Sequence, residues 1–183
     1  MTASFGPSGA GAQGPEEAER ARQIALRILD AAPRSATHLR EALLAREVAE
    51  AVADEIIGRY REVGLIDDRG LARMIARTRH AERGQSRRAI AEELRRKGFE
   101  ADDIAGAVAE ISDEDESAAA EALAAKRWRA LNNVPREARV RRVVALLGRK
   151  GYPPGIAFDL VRRLERADIW EDREVSPAEE EAT

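Results

Sequence analysis

The stretch RRKGF, residues 95–99, recurs 53 residues later as GRKGY, residues 148–152. Each copy contains a basic pair, then a glycine, then an aromatic residue. Helices commonly end where a glycine adopts the left-handed conformation, so both copies are typical of a helix stop. Self-similarity at a spacing of about 50 residues is typical of repeat architectures, in which neighbouring units share a core. The sequence therefore predicts repeated helical units.

The residues around the two stops extend this similarity. When the stops are aligned, apolar residues at helical spacing coincide, and the first part of the chain contains a related stretch, LLAREV, with Arg46 for the lysine and Glu47 for the glycine. The matched pairs are Ile90 with Val143, Leu94 with Leu147, Lys97 with Lys150, Phe99 with Tyr152 and Val108 with Val161. We therefore expect the middle helix of each unit to end in the same way, with the ring packed at the start of the next helix.

The apolar residues between the chain ends follow a helical period throughout, so we predict an all-α fold. Helix boundaries are indicated by Ser35 as a cap, by Gly64 and Gly84 as stops, and by Asp67 or Asp68 as a further cap. These signals predict three-helix repeats over residues 16–66, 67–111 and 112–167. The Gly-, Ala-, Ser- and Pro-rich segment 1–15 and the acidic segment 168–183 are expected to be disordered.

The composition constrains the core and the location. Alanine occurs 36 times and aromatic residues make up 4% of the chain, which favours closely packed helices with a core of Leu, Ile, Val and Ala. The absence of cysteine excludes disulfides and thiolate chemistry. The sequence also lacks a long apolar run and a signal-peptide pattern. We therefore expect a cytoplasmic monomer without a membrane segment.

The sequence offers few residues for catalysis or for metal binding. His38 and His80 lack further ligands at metal-binding spacing and are interpreted as solvated helix residues. Phosphate-binding loops are absent, and the few Ser and Thr residues occupy caps, turns or tails. The acidic run SDEDES, residues 112–117, is interpreted as a solvated linker with a helix cap. We therefore predict that the protein is not an enzyme.

Basic and acidic blocks alternate along the chain, and the basic blocks are the candidate functional surface. Residues 69–97 carry ten bases against three acids, residues 126–150 carry nine against one, and residues 99–121 carry nine acids and no base. Arg139, Arg142 and Arg149 are predicted to lie opposite the apolar stripe of their helix, and Arg73 and Arg77 are one turn apart. The full predicted contact set is Arg73, Arg77, Arg87, Arg88, Arg95, Arg96, Lys97, Lys126, Arg127, Arg139, Arg142, Arg149 and Lys150.

Two interpretations of these basic faces stand side by side. Arginine provides 28 of the 31 bases, so its abundance reflects compositional bias and the faces are equally compatible with an ordinary solvated surface. The functional interpretation is that the arginine side chains pair with phosphates or with carboxylates of an anionic partner.

One longer stretch resembles a known family. GLIDDRGLARMIARTRHAERGQSRRAIAEELRRKGF, residues 64–99, is similar to the signature of RecX regulatory proteins: a turn with two aspartates, an Arg-rich helix, a glycine break, and an I-x-x-E-L-x-x-K-G helix. The resemblance covers about residues 20–166 and includes the later AAKRW and LLGRKGY. It departs at Leu71, where the family usually has Phe, and at Glu47, where it has Gly.

The resemblance implies tandem three-helix repeats in an elongated, curved array. It also implies a modulator, usually an inhibitor, of the recombinase RecA, with roles in DNA repair, homologous recombination and the SOS response. Such proteins lie along the groove of the RecA filament on single-stranded DNA and reduce its ATP hydrolysis, strand exchange and coprotease function. The implied partner is thus the RecA filament, and the resemblance implies no cofactor.

Two alternatives remain open at this point. Three-helix units also resemble helix-turn-helix domains, so the protein could bind single- or double-stranded DNA directly. The stretch PREARVRRVV, residues 135–144, offers Arg and Glu but no Asn or Gln, which favours non-specific over sequence-specific binding. The second alternative is an inert helical scaffold, whose basic faces would tolerate charge reversal.

Overall fold

The computed structural model of the chain describes residues 13–174, with side chains from 14 to 168. The described residues form nine α-helices and no strand, which confirms the all-α prediction. The helices are α1 Gln13–Ala31, α2 Ala36–Leu44, α3 Glu50–Glu62, α4 Asp68–Arg83, α5 Arg87–Arg96, α6 Ala101–Ala109, α7 Asp113–Arg129, α8 Arg136–Arg149 and α9 Pro154–Glu174. None of these helices is long and apolar enough to cross a membrane.

The chain divides into two compact units that cut across the predicted repeats. Within residues 13–174, one unit comprises 13–72 with Leu94–Ile104, and the other comprises Arg73–Glu93 with 105–174. The repeat boundaries at 16–66, 67–111 and 112–167 therefore stay a prediction.

Helices α1, α2 and α3 pack together in the first unit. Their shared core consists of small and branched residues, which let the helices approach closely. Ser35 caps α2: its hydroxyl accepts a hydrogen bond from the His38 amide at 3.3 Å and donates one to the Lys97 carbonyl at 2.6 Å. The cap predicted at Ser35 is thus confirmed. The buried residues are Ala21, Ala25, Ala36, Leu39, Leu43, Val48, Ala53, Ile56, Ile57, Tyr60 and Ile66.

Helices α7, α8 and α9 form the corresponding core in the second unit. Trp128 of α7 lies at one end of this core, and Tyr152, which follows the second stop, is also buried in it. The Tyr152 hydroxyl donates to the carbonyl of Gly84 at 3.1 Å, and burial raises the pKa of Tyr152 to about 12. The remaining buried residues are Ala120, Ala124, Leu131, Val143, Leu147, Ala157, Leu160 and Val161.

The two stops have the backbone conformation that the sequence predicts. Gly98 has φ 69° and Gly151 has φ 89°, both in the left-handed region. The amide of the following residue then bonds to a carbonyl five positions earlier, Phe99 to Leu94 at 3.3 Å and Tyr152 to Leu147 at 3.1 Å. This pattern is a Schellman motif.

The first stop has the same geometry without a glycine. Glu47 has φ 62°, and the Val48 amide bonds to the Leu43 carbonyl at 3.2 Å. Among the described residues Glu47 is the only non-glycine with a positive φ. The turn at the first stop therefore forms with glutamate in place of glycine.

Helix extends into both segments that we expected to be disordered. α1 begins at Gln13, because Pro15 is tolerated in a first turn, where its missing amide hydrogen has no helical partner. α9 continues to Glu174, and the Asp168 carboxylate accepts a hydrogen bond from Trp128 Nε1 at 2.8 Å. The rest of these segments, residues 1–12 and 175–183, lies outside the described residues.

The acidic run at residues 112–117 is a helix start and not a linker. Ser112 caps α7 by accepting a hydrogen bond from the Asp115 amide at 3.0 Å. The four acids of the first turn, residues 113–116, lie where the helix dipole favours negative charge. The prediction of a cap here is confirmed, whereas the solvated linker is wrong.

Candidate functional site

The predicted basic residues differ in whether another side chain or a carbonyl of the fold already binds them. The first group has no such ion pair. In the first group the side chains are exposed, and none makes an ion pair with another side chain of residues 14–168. These side chains retain their full charge for a partner. They are Arg77, Arg95, Arg96, Lys126, Arg127, Arg142 and Arg149.

Two further predicted residues are exposed and paired. Arg73 lies 3.0 Å from Glu110, and Arg88 lies 3.2 Å from Glu92 on the same helix. Exposed ion pairs of this kind contribute at most about 1 kcal/mol, since water and salt screen them. Either arginine can therefore exchange its carboxylate for one on a partner.

Arg87 instead has a structural role. Its Nε donates to Glu116 at 2.7 Å, its backbone amide donates to the other oxygen of Glu116 at 2.7 Å, and its guanidinium also pairs with Asp113. The hydrogen bonds to Glu116 and Asp113 raise the pKa of Arg87. The acids of the α7 start thus hold the start of α5, and Arg87 is not a free contact residue.

Arg139 corrects the predicted basic face of α8. Only 14% of its side chain is exposed. The guanidinium stacks on the Trp128 ring, 3.9 Å from its centroid, and donates to Asp168 at 2.7 Å and to the Trp128 carbonyl at 3.0 Å. Position 139 borders the apolar stripe of α8, and a planar cation is attracted to an indole face. The prediction that Arg139 is exposed opposite that stripe is therefore wrong.

The two lysines of the stops are half-buried. Lys150 Nζ donates to the Arg83 carbonyl at 2.5 Å, at the end of α4. The Lys97 carbonyl accepts the hydrogen bond from Ser35 described above. The equivalent lysines therefore lie at points where the stop meets another helix end.

Arg141 belongs to the exposed surface of α8, although sequence analysis did not select it. Arg141 and Arg149 are two turns apart on α8, about 12 Å along the axis at the usual rise, and Arg142 lies beside them. We call these three residues the α8 basic face. The eight-residue spacing between Arg141 and Arg149, bridged by Ala145, is the signal that could have identified it.

The two histidines are half-buried and are not solvated helix residues as predicted. His80 Nδ1 lies 3.2 Å from the Gln85 carbonyl, to which it donates when protonated there. His38 Nε2 lies 3.9 Å from Glu41. Within residues 14–168, no group of three or more His, Asp or Glu side chains is arranged to hold a metal ion.

Comparison with protein families matches most of the chain in three consecutive segments. Residues 21–59 match the first three-helix domain of RecX, residues 67–108 match the second, and residues 113–161 match the third. The three matches are in chain order and correspond to α1–α3, α4–α6 and α7–α9.

Individual relatives agree with this match. The chain is 40% identical over 174 residues to the regulatory protein RecX of Thermobifida fusca, covering 95% of this chain and 94% of that protein. It is 44% identical over 145 residues to the regulatory protein RecX of Streptomyces coelicolor, covering 79% and 77%. The crystal structure of RecX from Lactobacillus salivarius superposes with a TM-score of 0.71 at 19% identity, covering 82% of this chain and 98% of that one, so it shows the shared fold.

Proposed function

Because this chain belongs to the RecX family of regulatory proteins, we propose that it binds the filament that RecA forms on single-stranded DNA. In this proposal it modulates the filament, most often as an inhibitor of ATP hydrolysis, strand exchange and coprotease activity. It acts in the cytoplasm as a monomer and without a cofactor. Membership of the family suggests RecA as the partner, and the exposed basic residues of this chain suggest the surface that contacts it.

The α8 basic face is the observation that supports this contact most directly. Several arginines form ion pairs within the fold, as Arg87 and Arg139 illustrate. Arg141, Arg142 and Arg149 make no ion pair with any side chain of residues 14–168. Three uncompensated guanidinium groups on one helix face create a local positive potential that attracts a polyanion. A filament of protein on DNA offers phosphates and carboxylates, and the guanidinium fork pairs with both.

A direct DNA-binding role is the second candidate, and the same face supports it. Guanidinium groups pair with phosphates irrespective of sequence, so the α8 basic face would also bind bare DNA. The two candidates differ in whether the protein must also contact RecA on the DNA. A filament regulator binds RecA-coated DNA more tightly than bare DNA, whereas a DNA-binding protein does not.

The test measures RecA ATPase activity on single-stranded DNA with and without this protein, using a charge-reversal variant of the α8 basic face. We expect the wild-type chain to lower the ATPase rate and Arg141→Glu with Arg149→Glu to lose most of that effect. Both side chains are exposed, so helicity by circular dichroism should be unchanged. The wild-type effect should weaken with salt, because the Debye length is only about 10 Å at 0.1 M.

The matched control reverses two exposed arginines elsewhere. Arg20 and Arg59 are on α1 and α3, and neither makes an ion pair with another described side chain. Arg20→Glu with Arg59→Glu changes the net charge equally and should retain inhibition. Equal loss of ATPase inhibition in both variants would show that net charge alone explains the effect. Full inhibition by the α8 variant would show that the α8 basic face is not the contact surface. Binding of the wild-type chain to bare DNA and to RecA-coated DNA is compared as well. Binding to bare DNA that is as tight as binding to coated DNA, or tighter, would favour the second candidate.

A further inference from the structure

An open groove of about 650 Å³ lies along α1 and α2 within the first compact unit. Ile24, Ile28 and Ala42 form its apolar floor. Three arginines, Arg27, Arg34 and Arg46, form its rim. None of these arginines belongs to the basic blocks of the later repeats or to the α8 basic face.

The local sequence explains why the groove remains open. Ala21 and Ala25 of α1 and Leu39 of α2 are fully buried in the core of this unit. Ile24 and Ile28 lie at the edge of this core and are only half-buried, because Ala31 and Ala42 carry side chains too short to cover them. Part of the apolar floor is therefore in contact with water, which is unfavourable until an apolar group covers it.

The rim arginines lack the carboxylate partners that four other arginines of this unit have. Within residues 14–168, the side chains of Arg27 and Arg34 make neither an ion pair nor a hydrogen bond. Arg46 donates to the Ala42 carbonyl at 2.7 Å and likewise makes no ion pair there. In the same unit, ion pairs link Arg22 with Glu19, Arg40 with Asp54, Arg61 with Asp68 and Arg69 with Asp103.

The charge balance of the groove is therefore positive. Its single acidic lining residue, Glu41, lies 3.9 Å from His38 Nε2, and three arginines line the same groove. Three arginines thus line a groove that also contains an apolar floor. This combination matches a ligand that carries an apolar side chain between negative charges.

We propose that this groove binds an acidic peptide segment of a protein partner, with an apolar side chain on the Ile24–Ile28 floor and carboxylates on the arginine rim. A nucleic acid fits less well, because single-stranded binding sites stack bases on aromatic rings and the lining contains no Phe, Tyr or Trp. The groove shares no residue with the α8 basic face. The proposal for the groove can therefore be tested independently of the proposal on RecA.

The test uses the full chain and a defined probe, a short fluorescein-labelled peptide with one leucine flanked on both sides by aspartates and glutamates. We expect saturable binding by fluorescence anisotropy. Arg27→Gln with Arg34→Gln should weaken binding about tenfold, because two charge-assisted contacts are lost. Arg20→Gln with Arg59→Gln, which removes the same charge outside the groove, should change it less than about twofold.

Two further measurements separate the groove from general electrostatic attraction. Ala31→Trp leaves every charge in place and should weaken peptide binding, because the indole would fill the floor. A peptide with serine in place of leucine should also bind more weakly. Absence of saturable binding, equal loss in the two arginine pairs, or displacement of the peptide by an equal concentration of oligothymidylate would overturn the proposal.

Discussion

The stop after α2 and the stop after α8 have the same backbone hydrogen bonds but different residues. The left-handed position is Glu47 in the first and Gly151 in the second, with φ values of 62° and 89°. An L side chain at such a φ costs about 1–2 kcal/mol, and glycine avoids this cost. The first stop nevertheless forms, so the turn does not depend on glycine alone.

The surroundings of the two stops explain the difference. A Cβ atom at Gly151 would overlap Ser86 Oγ and lie 2.6 Å from Ala89 Cβ, because the start of α5 packs directly on this stop. The Ser86 amide also bonds to the Lys150 carbonyl at 2.9 Å. Glu47 is exposed to solvent. Glycine is therefore required where another helix packs on the stop, and a side chain is tolerated where the stop is exposed to solvent.

Gly98 is intermediate between these two stops. A Cβ atom there would lie 3.1 Å from Thr37 Cβ and 3.2 Å from His38 Cδ2. These contacts are tighter than ordinary van der Waals contact, so Thr37 and His38 would have to move by a few tenths of an ångström. The three equivalent stops thus form a series in which the neighbouring helix approaches progressively closer.

The largest effect is expected for Gly151→Val. The side chain would combine the strain of a positive φ with overlap against Ser86 and Ala89, including the Ala89 backbone amide at 3.1 Å. Strain and overpacking together should lower the free energy of unfolding by roughly 3 kcal/mol. Chemical denaturation followed by circular dichroism measures this change.

Gly64→Val is the matched control for that prediction. Gly64 has φ 74°, and nothing lies within 4 Å of the Cβ position. The substitution therefore isolates the backbone strain, about 1 kcal/mol. Equal losses at positions 64 and 151 would show that the packing of α5 on the stop contributes nothing.

A smaller loss is expected for Gly98→Val. Strain alone predicts at least about 1 kcal/mol, and the contacts with Thr37 and His38 should place the loss between those at Gly64 and Gly151. The melting temperature by differential scanning calorimetry provides the measurement. An unchanged value would contradict the left-handed conformation at Gly98.

The sequence predicted the helix boundaries well because their signals are local. The Ser35 cap and the glycine stops each depend on a few neighbouring residues, and Asp67 likewise accepts the Gly70 amide at 2.8 Å as the predicted cap before α4. Apolar spacing then indicates which side of each helix is buried. These features need no knowledge of the tertiary arrangement.

The candidate surface was predicted less well because charge compensation depends on long-range contacts. Arg139 and Asp168 are 29 positions apart, as are Arg87 and Glu116, so neither pair is visible in a local charge count. The groove arginines were missed for the complementary reason. Their block contains nearby acids, and only the structure shows that these acids pair elsewhere or not at all.

The smallest expected effect is a gain in stability, from Glu47→Gly. Glycine would relieve the positive-φ strain at the first stop, while the unfolded chain would gain conformational entropy that partly offsets this relief. The net increase in the free energy of unfolding should be about 0.5 kcal/mol. Glu55→Gly is the matched control, since Glu55 is exposed within α3, where glycine costs about 1 kcal/mol relative to alanine. The same chemical change should therefore stabilise at the stop and destabilise in the helix. A loss of stability at both positions would show that Glu47 is not strained, and the comparison between the first and last stops would then need a different physical basis.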